Sequence, residues 1–161
     1  MREQPAGLER AIGEYLELRR AIDRGEGSWA DFARFFTEDA VYVDPAWGRI
    51  EGRSEIVRLV FSDAMAGLED WTFPIDFVLS SGNVVVMKWR QVIPVSGSDP
   101  KVQSGVSTLV YDGGGLFNYQ EDLLNMAHVL ADLRAAHWRP PAGSHVPPAE
   151  PVRDFTPPKG Y

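Results

Sequence analysis

The spacing of apolar residues changes near Trp71, and that change limits what this chain can fold into. Before it, Leu8, Ile12, Tyr15, Leu16, Leu18 and Ile22 recur at three- and four-residue steps. That spacing predicts a helix over 8–23 with one broad apolar face. After it the period falls to two, and 71–79, 84–95, 102–111 and 116–121 read as strands. Ser81-Gly82-Asn83 and Asp112-Gly113-Gly114-Gly115 supply hairpin turns between them. The segment 96–100 is a longer loop. Four strands in a meander must cover one face with something, and the helices that precede them are the available cover. Helices followed by strands argue an α+β fold.

Between these blocks the signals are local. Gly25 and Gly27 stop the first helix, and Ser28 is placed to cap a short second one carrying Trp29, Phe32, Phe35 and Phe36. Val41–Val43 reads as a short strand ended by Asp44-Pro45. Gly52-Arg53-Ser54-Glu55 opens a third helix with Ile56, Leu59, Val60 and Met65 as its apolar stripe. Residues 122–136 read as a last helix. From Arg139 the composition shifts: seven of the 12 prolines fall in the last 23 residues, among them three Pro-Pro pairs. Such a run is extended polyproline-like chain or disorder. The expected organisation is one domain, 1–138, and a Pro-rich extension, 139–161. The extension is expected to lie over the body or a partner subunit with Phe155 docked, covering part of any pocket mouth.

Several function classes are excluded by residue type. The balance of 16 basic against 23 acidic residues gives a net charge of −7. Binding a phosphate backbone or an anionic membrane needs clustered Lys and Arg, so neither nucleic acid nor membrane is an expected partner. There is no Cys, hence no thiol nucleophile, disulfide or zinc–thiolate site. His128, His137 and His145 lack metal-ligand spacing, and no Gly-x-Ser-x-Gly elbow occurs. The triple glycine joins two strands and lacks the Lys-Ser/Thr of a phosphate loop. The expectation is therefore no metal and no cofactor. The charged N-terminal segment lacks an export signal, and no apolar run reaches the roughly 18 residues of a membrane span, so the reading is cytoplasmic.

The stretch Phe35-Phe36-Thr37-Glu38-Asp39-Ala40-Val41-Tyr42-Val43-Asp44-Pro45, followed by Gly48 and Gly52, resembles the nuclear transport factor two-like superfamily. The ketosteroid isomerases and SnoaL-like polyketide cyclases belong to it, and the element order matches over roughly 8–138. The resemblance implies a cone, in which a bent antiparallel sheet wraps against three to four helices around one deep apolar pocket. It also implies site residues. Asp44 falls where the isomerase's base sits, and Tyr15 falls where its oxyanion-binding Tyr sits. Counted back from the 112–115 turn, the isomerase's protonated Asp falls on Ser107, and its second Tyr falls near Val60; both are departures. The acid/base Asp of the cyclases falls on Asp122.

An Asp in an apolar pocket is raised in pKa by desolvation and becomes a better base near neutral pH. Tyr42, Trp47 and Trp89 give Asp44 such surroundings. An Asp before Pro is equally a turn former that accepts backbone N–H bonds. Asp122 competes with Glu121 for the cavity, since neighbouring strand residues face opposite ways. On strand 84–95, Lys88 and Arg90 belong outside, so Met87, Trp89, Gln91 and Ile93 face in. The candidate catalytic set is Asp44, Tyr15, Asp122 and Ser107. The candidate substrate-binding set is Tyr42, Trp47, Leu59, Met87, Trp89 and Gln91.

These residues support a cofactor-independent acid/base enzyme for a small apolar carbonyl compound, of isomerase, cyclase or dehydratase type. The alternatives are a non-catalytic binder of hydrophobic molecules, an epoxide hydrolase-like enzyme and a partner-interaction domain. A homodimer is expected through the outer sheet face, where Val84, Val86, Val92, Val106, Val110 and Phe117 or Tyr119 make a second apolar surface.

Overall fold

The computed structural model describes residues 3–158 and Tyr161. Helix α1 (Leu8–Asp23) is followed by a 3-10 helix (Trp29–Phe35), then strands β1 (Phe36–Asp44) and β2 (Gly48–Glu51). Helix α2 (Arg53–Arg58) runs on into a π-helical turn (Leu59–Asp63). Strands β3 (Ile75–Ser81), β4 (Val84–Val95), β5 (Ser98–Gly113) and β6 (Leu116–Leu124) form the meander, and α3 (Met126–Ala135) follows. The expected capping at Ser28 is present: its hydroxyl accepts from Ala30 N, and Asp31 accepts from Ser28 N.

The six strands form one sheet in the order β2-β1-β6-β5-β4-β3. The meander is antiparallel as expected, but β1 lies parallel to β6, so the sheet is mixed and does not close. This pairing puts Tyr42 beside Gln120 and Val43 beside Glu121. Two further differences matter for the site. The hairpin partner β2 was not expected from the pattern, since four residues are too few to show a period. And Asp122 does not begin a helix: β6 runs to Leu124, and Asn125 caps α3 by accepting from His128 N at 3.3 Å.

One layer of aromatic side chains fills the space between sheet and helices. Tyr15, Phe32, Phe35, Phe36, Phe61 and Phe117 pack with ring centroids 4.7–6.0 Å apart in successive pairs. Leu59 and Met87, expected on the pocket wall, belong to this core instead. Beyond it a second cluster, Trp71, Phe73, Trp89 and Ile93, opens toward α3. The outward face of the meander stays uncovered. In register across it stand Phe77, Lys88, Val106 and Leu123, with Leu79 beside Val86 and Val92 beside Val102. Phe77, Leu79, Val102 and Leu123 are each about half exposed or more. Val110 and Tyr119, expected on that face, are buried with Val43, and the Tyr161 ring meets Tyr119 edge-on at 6.3 Å. Phe117, their companion in that expectation, is a core residue.

The extension packs on the body through its backbone. Val152 O accepts from Arg49 N at 2.9 Å, and Thr156 O accepts from Arg49 Nη1 at 3.0 Å. The chain approaches so closely that a Cβ on Gly48 would lie 2.5 Å from Val152 O. Phe155, expected to dock, remains 45% exposed.

Candidate functional site

The cone holds a cavity of about 390 Å³. All five tryptophans of the chain, Trp29, Trp47, Trp71, Trp89 and Trp138, line it. They come from the 3-10 helix, the β1–β2 turn, the loop before β3, strand β4 and the segment after α3. Trp89 lies flat across β5 because its partner there is Gly105, where a Cβ would sit 2.4 Å from the indole. Pro140, Ser144, His145, Val146 and Pro147 of the extension complete the wall near the opening.

Two carboxylates reach this cavity, Asp44 from the end of β1 and Asp122 from β6. Both readings of Asp44 hold at once. Its Oδ1 accepts from Ala46 N and Trp47 N, each at 2.7 Å, which forms the turn. Its Oδ2 makes no hydrogen bond among the described residues. Desolvation by the surrounding apolar walls pushes the carboxyl up from 3.8 to about 6. The two backbone N–H bonds oppose that rise, and the nearby charge of Asp122 adds to it.

Asp122 is the end of two hydrogen-bond chains. Tyr15 donates to Gln120 Oε1 at 2.9 Å, and Gln120 Nε2 donates to the Tyr42 oxygen at 3.0 Å. Tyr42 then donates to Asp122 Oδ2 at 2.5 Å. On the other side, Trp89 Nε1 donates to Ser107 at 2.9 Å, and Ser107 donates to Asp122 Oδ1 at 2.6 Å. Gln120 Nε2 also reaches Oδ1 at 3.0 Å. Ser107 and Asp122 are direct cross-strand partners, so the sheet register alone brings them together. Glu121 points the other way, to the Tyr119 hydroxyl.

The sequence-predicted residues divide accordingly. Asp44, Asp122, Tyr42, Trp47, Trp89 and Gln91 stand in the cavity wall. Tyr15 and Ser107 do not: both are buried behind it, with their hydroxyl protons given to Gln120 and Asp122. Burial raises the Tyr15 hydroxyl to about 12, against the Arg19 charge, which lowers it. Tyr42 is pushed well above its ordinary value by burial and by Asp122. Gln91 donates to Gln103 at 3.0 Å, and Gln103 donates to Asp132 of α3 at 2.7 Å.

Sequence reasoning missed Gln120, the hinge of the network, and Arg19. Arg19 is 6% exposed, lines the cavity and donates to Phe73 O at 3.1 Å. Its signal was available: it stands four residues after Tyr15, in phase with the apolar stripe of α1. No carboxylate among the described residues forms an ion pair with it. Among the described residues, no group of three or more His, Asp or Glu is placed to hold a metal ion. No helix among them is long and apolar enough to cross a membrane.

Comparison with known proteins agrees with this architecture. A protein described as a SnoaL-like polyketide cyclase from Jannaschia sp. CCS1 superposes with a TM-score of 0.64 at 15% identity, over 87% of this chain and 100% of that one. A protein of ketosteroid isomerase-like fold from Catenulispora acidiphila, in complex with trimethylamine, gives 0.61 at 20% identity over 86% and 100%. TerC, co-crystallised with polyporic acid, gives 0.60 at 12% identity over 75% and 95%. At such identities the likeness is one of fold. No curated protein matches the sequence. The sequence profile of the SnoaL-like domain matches residues 15–118, which span β1, α2 and most of the meander, and on that match the chain belongs to the SnoaL-like family.

Proposed function

We propose that this protein is a cofactor-independent acid/base enzyme that abstracts a proton next to the carbonyl of a small apolar compound, with Asp44 as the base. One observation carries the reading. Asp44 is fixed by two backbone N–H groups on one oxygen, while the other is free at the wall of a tryptophan-lined cavity. A base within hydrogen-bond reach of its proton, about 2.6–3.2 Å, contributes about 10²–10⁴ in rate. The proton passes from the α-carbon to Asp44 Oδ2. The C–H electron pair moves into the new C=C bond, and the carbonyl oxygen takes the negative charge. Return of the proton to a different carbon, ring closure by the enolate, or loss of a β-hydroxyl would give isomerase, cyclase or dehydratase chemistry respectively.

A second reading, a non-catalytic binder of hydrophobic molecules, draws support from the closed inner network. Tyr15 and Ser107 have no free proton to offer a substrate oxygen. Proton exchange separates the two readings. With β-tetralone in D₂O followed by NMR, the acid/base reading expects α-proton exchange above the buffer rate, and loss of most of it in Asp44→Asn. Exchange no faster than buffer, with the ketone bound, would establish the binder.

We further propose that a second copy of the chain covers the outer face of the meander. Phe77, Val106 and Leu123, and Leu79 beside Val86, put apolar side chains on that face, interrupted by Lys88 between Phe77 and Val106.

A further inference from the structure

Arg19 is a guanidinium buried in an apolar cavity without a counter-ion. Its Nη2 donates to Phe73 O and the guanidinium also interacts with the Tyr15 hydroxyl, which leaves most of its five N–H donors unused. Its Nε is buried and has no partner. Three rings surround the charge, with centroids 5.1 Å (Trp29), 5.8 Å (Trp89) and 5.9 Å (Phe73) from Cζ. Such faces stabilise a desolvated cation. They offer no acceptor for the N–H groups. A purely structural role, tying Phe73 to α1, needs little of this, because Asp23 already accepts Phe73 N at 2.9 Å. Burying a charge is costly unless a partner with good geometry offsets it. The carboxylates of the cavity are engaged elsewhere: Asp122 by Tyr42, Ser107 and Gln120, and Asp44 by its own turn.

We propose that Arg19 anchors a carboxylate carried by the substrate, so that the substrate class is a flat, apolar carbonyl compound with one carboxylate. This rests on the reading of the cavity as the reaction site. A guanidinium fork matches a carboxylate in two parallel hydrogen bonds, and charge-assisted bonds of this kind are the strong ones. The tryptophan walls accept the flat body of the molecule. The anchor also solves a problem of orientation, since an apolar slot alone lets a flat molecule enter several ways round. Asp44 and Asp122 repel a carboxylate, and Arg19 attracts it. The substrate therefore enters with its anionic end at Arg19 and its uncharged, reacting end toward Asp44.

Calorimetric titration with 2-naphthoate and its uncharged isostere 2-naphthamide tests this. The wild-type protein is expected to bind the naphthoate at least about tenfold more tightly, a difference of about 1.4 kcal/mol. Arg19→Met should bring the ratio to one or below while still binding the amide. Arg19→Lys, which keeps the charge and loses the fork, should retain part of the preference. Equal binding by the wild-type protein, failure of both probes to bind at millimolar concentration, or an undiminished preference in Arg19→Met would each overturn the proposal; the first two stand even if the Met variant does not fold. In Asp44→Asn the preference should persist or grow, since a repelling charge is gone. Loss of exchange activity and loss of anion preference are thus read on separate variants, and either idea can fail alone.

Discussion

Asp44 is held on one oxygen and open on the other, and its carboxyl sits at about 6. A base must be deprotonated to act, so kcat/KM for proton abstraction should rise with pH through about 6 and level off above it. The same displacement affects stability in a definite direction. Because the folded value lies above the unfolded one, near 3.9, the folded protein holds the proton more tightly between these pH values. The stability that Asp44 contributes is therefore fully present below pH 4 and is lost as pH rises through about 6. The gap corresponds to at most roughly 3 kcal/mol, less what water in the cavity screens. Asp44→Asn should remove most of the exchange activity, raise the melting temperature at pH 7 and flatten its dependence on pH between 4 and 7; thermal melts across that range check this. Ser107→Ala removes a donor from Asp122 and leaves Trp89 Nε1 unpaired, so a loss of about 1–3 kcal/mol is expected in urea unfolding. Asp44 and Asp122 were legible through the resemblance, which puts the isomerase's base on Asp44 and the acid/base Asp of the cyclases on Asp122. The service of Tyr15 and Ser107 to Asp122 was not, because it depends on Gln120 and on which strand lies beside which.

At the scale of elements, the pairing of β1 with β6 decides the site. It joins Tyr42 to Gln120, 78 residues along the chain, and no local periodicity encodes it. The four meander strands were readable from alternation and glycine turns, and so was the helical face of α1. The end of β6 was misread because Asp122 has the chemistry of a helix cap. Asn125 does that work three residues later. Gly105 carries a role that only the folded sheet reveals, which is to give Trp89 room to lie against β5. Gly105→Ala should force the indole out of place, break its bond to Ser107 and cost about 1–3 kcal/mol through overpacking. A shifted tryptophan emission together with a lowered melting temperature checks this; an unchanged spectrum would mean that the indole had room to spare.

At the scale of the whole molecule, composition marked the extension from Arg139 but misplaced its contact. The docking element is backbone on Arg49 and Gly48, while Pro140 to Pro147 stand at the cavity wall. Truncation after Trp138 should therefore increase acrylamide quenching of the tryptophans and speed ligand release, with a modest fall in melting temperature. Unchanged quenching would remove any covering role. Sedimentation should give about twice the 17.9 kDa chain mass, and substituting Leu79 and Leu123 with Lys should return it to the monomer. Catalysis, however, stands on Asp44, and its carboxyl can be observed directly. Carbon-13 NMR titration of the protein, with the Asp44 resonance assigned by its absence in Asp44→Asn, should give a midpoint near 6. A midpoint at or below the ordinary value of about 3.9 would contradict the account.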